Sequence, residues 1–198
     1  MRHEIRIQGH GFALRPIEAA DASLIIELRR DIDRARYLHQ IPLDHDSQVE
    51  YLNRYFQRDG DYYFVIERAV SPESTPAEGL AGIYDVDERD GHAEWGRWIL
   101  REGSLAAVAS AWLIYRVAFE RLGLSEVYCR TLSDNAPVLS FHDRAGLVRT
   151  RQLEGAVEIG DDKRDVIEHV LCREQWPTVS ASLERLAARV ALRLDAAA

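Results

Sequence analysis

The stretch from His92 to Leu147 constrains the fold of this chain most. It reads as a strand over 93–100, a turn at Arg101–Ser104 and a long helix over 105–122 closed by Gly123. A second strand over 126–132, a turn with Asp134 and Asn135, and a short helix over 136–145 closed by Gly146 follow. Parallel strands joined by a helix cross over right-handedly. Such a unit sets a helix N-terminus at the strand's carboxyl end, where anionic groups bind. The expected fold class is therefore α/β (α+β).

The first of these helices is the informative one. Leu105, Val108, Trp112, Tyr115 and Phe119 recur at helical spacing, and Ala106, Ala107, Ala109, Ala111, Ile114 and Ala118 fill much of the remaining surface. A helix apolar nearly all round is buried, or covered by both a sheet and a ligand. Ser104 is the expected N-cap. The first backbone N–H groups of a helix have no internal partner, and small residues at 106, 107 and 109 would let a phosphate reach them. An ordinary crossover helix whose alanines serve packing explains the same pattern.

The segment VAFERLGLSEVYCRTLSDNAPVLSFHDRAGL, with Asn135 ahead of its last helix and Phe141-His142-Asp143-Arg144-Ala145-Gly146-Leu147 at the close, resembles the acetyl-CoA-binding core of the GNAT N-acetyltransferases. The nearest resemblance is to members acting on nucleotide-linked amino sugars and on ribosomal-type protein N-termini. The resemblance implies a single GNAT domain over 1–176 and a helical tail over 177–198. It implies a mixed sheet of about seven strands, splayed between the fourth and fifth, with about four flanking helices and a C-terminal amphipathic helix. In that family the splay accepts the pantetheine arm, and the next loop and helix start hold the pyrophosphate. The residues so implied at acetyl-CoA are Ile99, Leu100, Arg101, Gly103, Ser104, Ala106, Ala107, Asn135 and Phe141. The family usually carries Gln or Arg, then Gly-x-Gly or Gly-x-Ala, in the phosphate loop. Here the loop is Arg101-Glu102-Gly103-Ser104-Leu105-Ala106-Ala107, and only Gly103 and Ala107 stand in for that pattern.

The rest of the chain follows the same order of elements. A short strand over 11–16 stops at Pro16, and Asp21 caps a helix over 22–34 with Leu24, Ile25, Leu28 and Ile32 on one face. A loop over 35–46 leads to Ser47, which opens a helix over 48–58. Strands over 62–68 and 80–86 flank a turn cluster at 71–79, and the DERDG run signals a hairpin. Residues 147–159 and 165–173 read as two further strands joined through 160–163. After Pro177, Leu183, Leu186, Val190, Leu192 and Leu194 alternate with charged residues, so an amphipathic helix capped by Ser180 or Ser182 is expected. Its apolar side must cover its own domain or a second copy, as in a homodimer.

Composition excludes several classes. Hydrophobic content of 46% and charged content of 29% are those of a globular protein. A net charge of −8 argues against nucleic-acid partners. There is no long apolar run, so no membrane association is expected. The N-terminus lacks a signal-peptide core, and Cys129 and Cys172 form neither metal spacing nor a disulfide framework, so a cytoplasmic protein is expected. His3, His10, His45 and His169 show no ligand spacing, and no metal site is assigned.

Amine acetylation needs a base, because only the free amine has a lone pair. Glu94 is the candidate: a carboxylate among aromatics has its pKa raised by desolvation. Many family members place an acid near this point, often acting through water. Strand alternation puts Glu94, Gly96 and Trp98 on one face, with Trp95, Arg97 and Ile99 on the other, ahead of a splay at Ile99–Leu100. A solvated strand carboxylate is the structural alternative. His142 stands where the family commonly has a tyrosine acid for the leaving sulfur, and an imidazole donates near neutral pH. A packed helix histidine is the alternative there. Asn135 either N-caps the short helix or meets the pantetheine amide. The Leu100 N–H is the expected donor to the acyl oxygen. Tyr37, His39, Tyr84, Asp85, Trp95 and Trp98 are the acceptor candidates: the aromatics as a wall, Asp85 or Asp87 for an ammonium. Core packing is the alternative for each aromatic.

The expected function is direct transfer of acetyl from acetyl-CoA to a primary amine of a small molecule or amino sugar. A protein N-terminal acetyltransferase and a non-catalytic acyl-CoA-binding module are the alternatives.

Overall fold

The computed structural model describes residues 2–69, 76–160 and 162–195. Among them the order is β1 (Ile7–Gly9), β2 (Phe12–Pro16), α1 (Ala22–Arg30), α2 (Ile32–Ala35), α3 (His45–Tyr55), β3 (Tyr62–Arg68), β4 (Ala77–Asp87), β5 (His92–Leu100), α4 (Ala107–Arg116), β6 (Glu126–Leu132), α5 (Ala136–Ala145), β7 (Val148–Ile159), β8 (Asp162–Cys172) and α6 (Trp176–Asp195). The eight strands form one sheet in the order β1-β2-β3-β4-β5-β6-β8-β7. The sequence reading of about seven missed β1, three residues that pair antiparallel with β2. No described helix is long and apolar enough to cross a membrane. The tip of the turn expected at 71–79 and Asp161 of the turn expected at 160–163 lie outside the described residues.

Strand alternation divides the core in two. Phe64, Ile66, Ala81 and Ile83 join α4 and α6 on one face, while Tyr63, Val65, Leu80 and Ile99 join α1 and α3 on the other. Burying both faces explains why these strands are apolar runs rather than half-polar ones. All neighbouring strands are antiparallel except β5 and β6, which α4 connects as a parallel pair.

α4 is buried nearly all round: every residue from Ala109 to Tyr115 is core, held between the sheet and α6. It starts later than the expected 105, with Ala106 at the N-cap and Leu105 exposed. The Ser104 hydroxyl accepts from the Ala106 N–H at 3.2 Å instead of capping the helix. It also ends earlier than 122. A π-helical turn over 117–121 follows, with Leu122 N–H bonded to Val117 O at 2.9 Å.

Three other expectations are corrected. The helix over 22–34 breaks at Asp31, whose carboxylate caps α2, and Ile32 is 80% exposed rather than core. Asp44, not Ser47, caps α3, by accepting from the Ser47 N–H at 2.8 Å. α6 starts at Trp176, with no Ser180 or Ser182 cap: the Ser180 hydroxyl lies inside the helix and accepts from Trp112 Nε1 at 3.1 Å. Val179, Leu183 and Ala187 face this chain's own α4, while Leu186 and Leu192 are exposed.

Candidate active site

β5 and β6 pair at only three positions, His92 with Glu126, Ala93 with Val127 and Glu94 with Tyr128. Beyond Glu94 the strands part. The splay therefore opens at Glu94 itself, earlier than the Ile99–Leu100 position read from the sequence. A cavity of about 1550 Å³ fills the gap. Its walls come from β5 and β6, the start of α5, the α1–α3 segment and the Leu153–Ile159 part of β7.

The bulge in β5 sets which side chains meet. Leu80 pairs with Ile99 and Gly82 with Gly96, so Ala81 alone opposes both Arg97 and Trp98. Arg97 takes φ of 52° to make the extra step, a left-handed conformation that costs a non-glycine residue. One inserted residue flips the side chains after it. Trp98 thus lies beside Trp95, ring centroids 5.3 Å apart, rather than beside Glu94. Arg97 turns instead to the α1–α3 side, where it grips buried Asp61 with two bonds of 2.6 and 2.8 Å and stacks on Tyr63 and Tyr84. The alternation expected from the sequence is therefore corrected at Arg97, Trp98 and Ile99, the last of which lies on the α1–α3 face and not beside Trp95. A second bulge places Asp85, with φ of 54°, next to the site.

Glu94 is held from two directions. The Tyr84 hydroxyl donates to its Oε1 at 3.1 Å, and Arg130 Nη1 lies 3.3 Å from its Oε2. A side chain at Gly96 would collide with the Tyr84 hydroxyl at 2.3 Å, so glycine there is what lets Tyr84 reach. Burial raises the Glu94 pKa above the usual carboxylate value, and Arg130 and Tyr84 offset this only in part. Arg130 in turn reaches buried Glu168, which Arg151 and Thr150 also hold. Sequence reading missed Arg130 and Asp61. Each acts through a residue far away in sequence, and only the register of the sheet brings the partners together.

His142 lines the cavity but is 3% exposed. It lies edge-on to Trp95 at 5.4 Å and beside His169 at 5.2 Å, and its Nδ1 has no partner among the described residues. Burial, with His169 adding to it, pushes its pKa down to about 3. The sequence expectation of an imidazole that gives up a proton near neutral pH is corrected: the ring is neutral there and offers one N–H. Asn135 occupies the N-cap of α5 without a side-chain capping bond, so its amide is left to the cavity it lines.

The residues expected at acetyl-CoA divide. Ile99, Leu100 and Asn135 line the cavity. The Arg101 N–H bonds Glu78 O on β4 at 2.8 Å, so strand alternation points the Leu100 N–H to the edge that β6 has left. Gly103, Ser104, Ala106 and Ala107 lie outside the cavity, around the start of α4. The first bond of that helix runs from Ser110 N–H to Ala106 O, which leaves the preceding N–H groups without helical partners. Arg101 points away, ion-paired with Glu27 of α1 and bonded to Ala77 O. Phe141 packs on Trp98 at 5.2 Å.

Among the acceptor candidates, Tyr37, His39, Tyr84, Asp85, Trp95 and Trp98 all line the cavity. They form no single aromatic wall. Trp95 and Trp98 pack edge-on or tilted against Tyr115, Phe141 and His142, whereas Tyr37 lies under Arg36.

The sequence profile of the acetyltransferase (GNAT) domain matches residues 12–148, which contain the splay, the bulge and Glu94. The chain belongs to the GNAT acetyltransferase family. No curated protein sequence matches it. Solved GNAT structures do. The apo structure of FdhC, a nucleotide-linked sugar GNAT, is 26% identical, with 92% of this chain and 98% of that chain covered and a TM-score of 0.75. Spermidine N-acetyltransferase from Vibrio cholerae, in complex with CoA and spermine, is 19% identical, covers 85% of this chain and 99% of its own, and also has a TM-score of 0.75. At that identity the likeness to the spermidine enzyme shows the GNAT fold alone.

Proposed function

We propose that this GNAT protein transfers an acetyl group from acetyl-CoA to a primary amine of a small molecule or amino sugar by direct attack. The carrying observation is Glu94: a half-buried carboxylate of raised pKa, at the last paired position before the splay and open to the cavity. The solved relative that acts on nucleotide-linked sugars supports an amino-sugar acceptor.

In this reading the thioester supplies the acyl group, and the chain's own residues manage charge and protons. Glu94, directly or through water, takes the proton that the ammonium must lose. The Leu100 N–H, freed by the splay, stabilises negative charge as it develops on the acyl oxygen. Neutral His142 donates its N–H toward the departing sulfur, which is a fair leaving group because a thiol titrates near 8.5. Asn135 meets the pantetheine amide, and the unpartnered N–H groups at the start of α4 meet the pyrophosphate. Cys129 also lines the cavity, but burial pushes its pKa far up, so it stays a thiol. This favours direct attack over an acyl-cysteine route.

The test is thiol release from acetyl-CoA across an amine panel, run with wild type and Glu94→Gln from pH 6 to 9. The variant should lose rate most at neutral pH and recover partly at high pH, where the amine deprotonates unaided. Equal rates across that range would make Glu94 structural. The turned-away Arg101 and the sparse glycines of its loop favour a second reading, a non-catalytic acyl-CoA-binding module. Calorimetric binding of acetyl-CoA without turnover of any amine would select it.

A further inference from the structure

The α1–α3 side of the cavity is rich in arginine. Arg29, Arg34, Arg36, Arg54 and Arg58 line it against Asp31, Asp33 and Glu50, in a protein whose net charge is −8. Most of these cations are engaged on the protein: Arg34 pairs with Asp31, Arg54 pairs with Glu50, and Arg36 lies on Tyr37.

Arg29 differs. It is half-buried, projects from α1 into the cavity, and has no carboxylate partner among the described residues. One guanidinium nitrogen, Nη2, donates to the His39 carbonyl. A guanidinium has five N–H donors in a fixed fork, so most of its hydrogen-bonding capacity stays open. Burial lowers its pKa, and the neighbours that offset this are Tyr63 and Tyr51, not acids. Removing a cation from water without an anion is unfavourable. The fork matches a carboxylate or a phosphate, which would supply the missing charge. In the same cavity, exposed Asp85 sits on its bulge close enough to Glu94 to perturb it, a position suited to an ammonium. A cation without a carboxylate partner and the carboxylates at Glu94 and Asp85, in one cavity, suit a molecule that carries both charges.

We propose that the acceptor amine bears an anionic group, a carboxylate or a phosphate, and that Arg29 binds that group while the amine lies at Glu94. The inference rests on the acetyltransferase reading and narrows its acceptor. It sets this cavity apart from one built for a polycation such as spermidine.

The experiment compares matched acceptors with acetyl-CoA and the full chain. Glucosamine 6-phosphate against glucosamine is the phosphate arm. Phenylalanine against phenethylamine is the carboxylate arm, and spermidine is the polycation control. In at least one arm kcat/KM should favour the anionic member by about 10- to 100-fold, the scale of a charge-assisted contact. Arg29→Gln should collapse that ratio toward one through KM, and Arg29→Lys should keep part of it. Neutral members or spermidine turning over as well as the anions in both arms would overturn the inference. So would a fall of both members alike in Arg29→Gln, which would leave Arg29 as a clamp on the His39 loop. Should Arg29→Gln not fold, the wild-type ratios and Arg29→Lys decide. If no amine turns over, the acetyltransferase reading has failed, and thermal shift decides the anion site. Stabilisation by glucosamine 6-phosphate or phenylalanine beyond the neutral partner, reduced in Arg29→Lys, upholds it; equal shifts overturn it.

Discussion

Glu94 and His142 both sit in the cavity, and burial moves their pKa values in opposite directions for one reason: it disfavours the charged form of each. For Glu94 the folded pKa lies above the ordinary 4.5. Its contribution to stability is therefore fully present below about pH 4.5 and is lost as pH rises through the raised folded value. Glu94→Gln removes this penalty, so thermal melts should show the variant gaining Tm on wild type at pH 7 and no gain near pH 4. His142 behaves differently because its folded pKa is about 3. It does not titrate between pH 5 and 9, so it should contribute no limb to the pH–rate profile there. His142→Phe should lower kcat about 10- to 100-fold, the scale of one hydrogen bond lost from a developing anion. The profile should keep its shape, and calorimetry should show acetyl-CoA affinity unchanged.

Two elements shape the site, the start of α4 and the bulge of β5. The N-terminus of α4 carries positive partial charge and N–H groups without helical partners. Ala107→Glu places a carboxylate among them, and acetyl-CoA affinity measured by calorimetry should fall roughly ten-fold or more. An unchanged affinity would put the pyrophosphate elsewhere. The bulge depends on the grip of Arg97 on Asp61, whose side chain is 7% exposed. Arg97→Met leaves that carboxylate buried without its partner, which should cost about 3 kcal/mol in denaturant unfolding. The same change should disturb the Trp95–Trp98 side of the strand, visible as altered tryptophan fluorescence.

At the scale of the whole molecule, α6 closes the core. Leu183, 1% exposed, belongs to the same apolar cluster as Trp112 and Trp176. Leu183→Ala should cost about 3 kcal/mol, the usual result of deleting a buried leucine side chain, and Tm should fall accordingly. The paired α6 contacts are within one chain, so a dimer is not needed to bury Val179, Leu183 and Ala187. Sedimentation at several concentrations would show whether the exposed Leu186 and Leu192 recruit a second copy.

Much of this protein is set by local chemistry and is legible in its sequence. β6 and α5 run over the residues that the apolar pattern and Gly146 indicate, because a left-handed glycine ends a helix wherever it occurs. The burial of α4 follows from an apolar surface on every side, and the desolvation of Glu94 from its aromatic neighbours. Other features were decided only by the tertiary structure. The bulge at Arg97 follows Gly96, but its left-handed step falls on a non-glycine residue, whose guanidinium is held by Asp61, 36 residues away. That single extra residue moved Trp98 to the face of Trp95. The splay opens at Glu94 because β6 leaves β5 after three pairs, a matter of how two sheet halves pack, not of either strand's composition. Arg130 meets Glu94, and His142 loses its charge, for the same reason. Pairing across a sheet and burial beneath a helix are sums over distant neighbours, which local sequence does not contain.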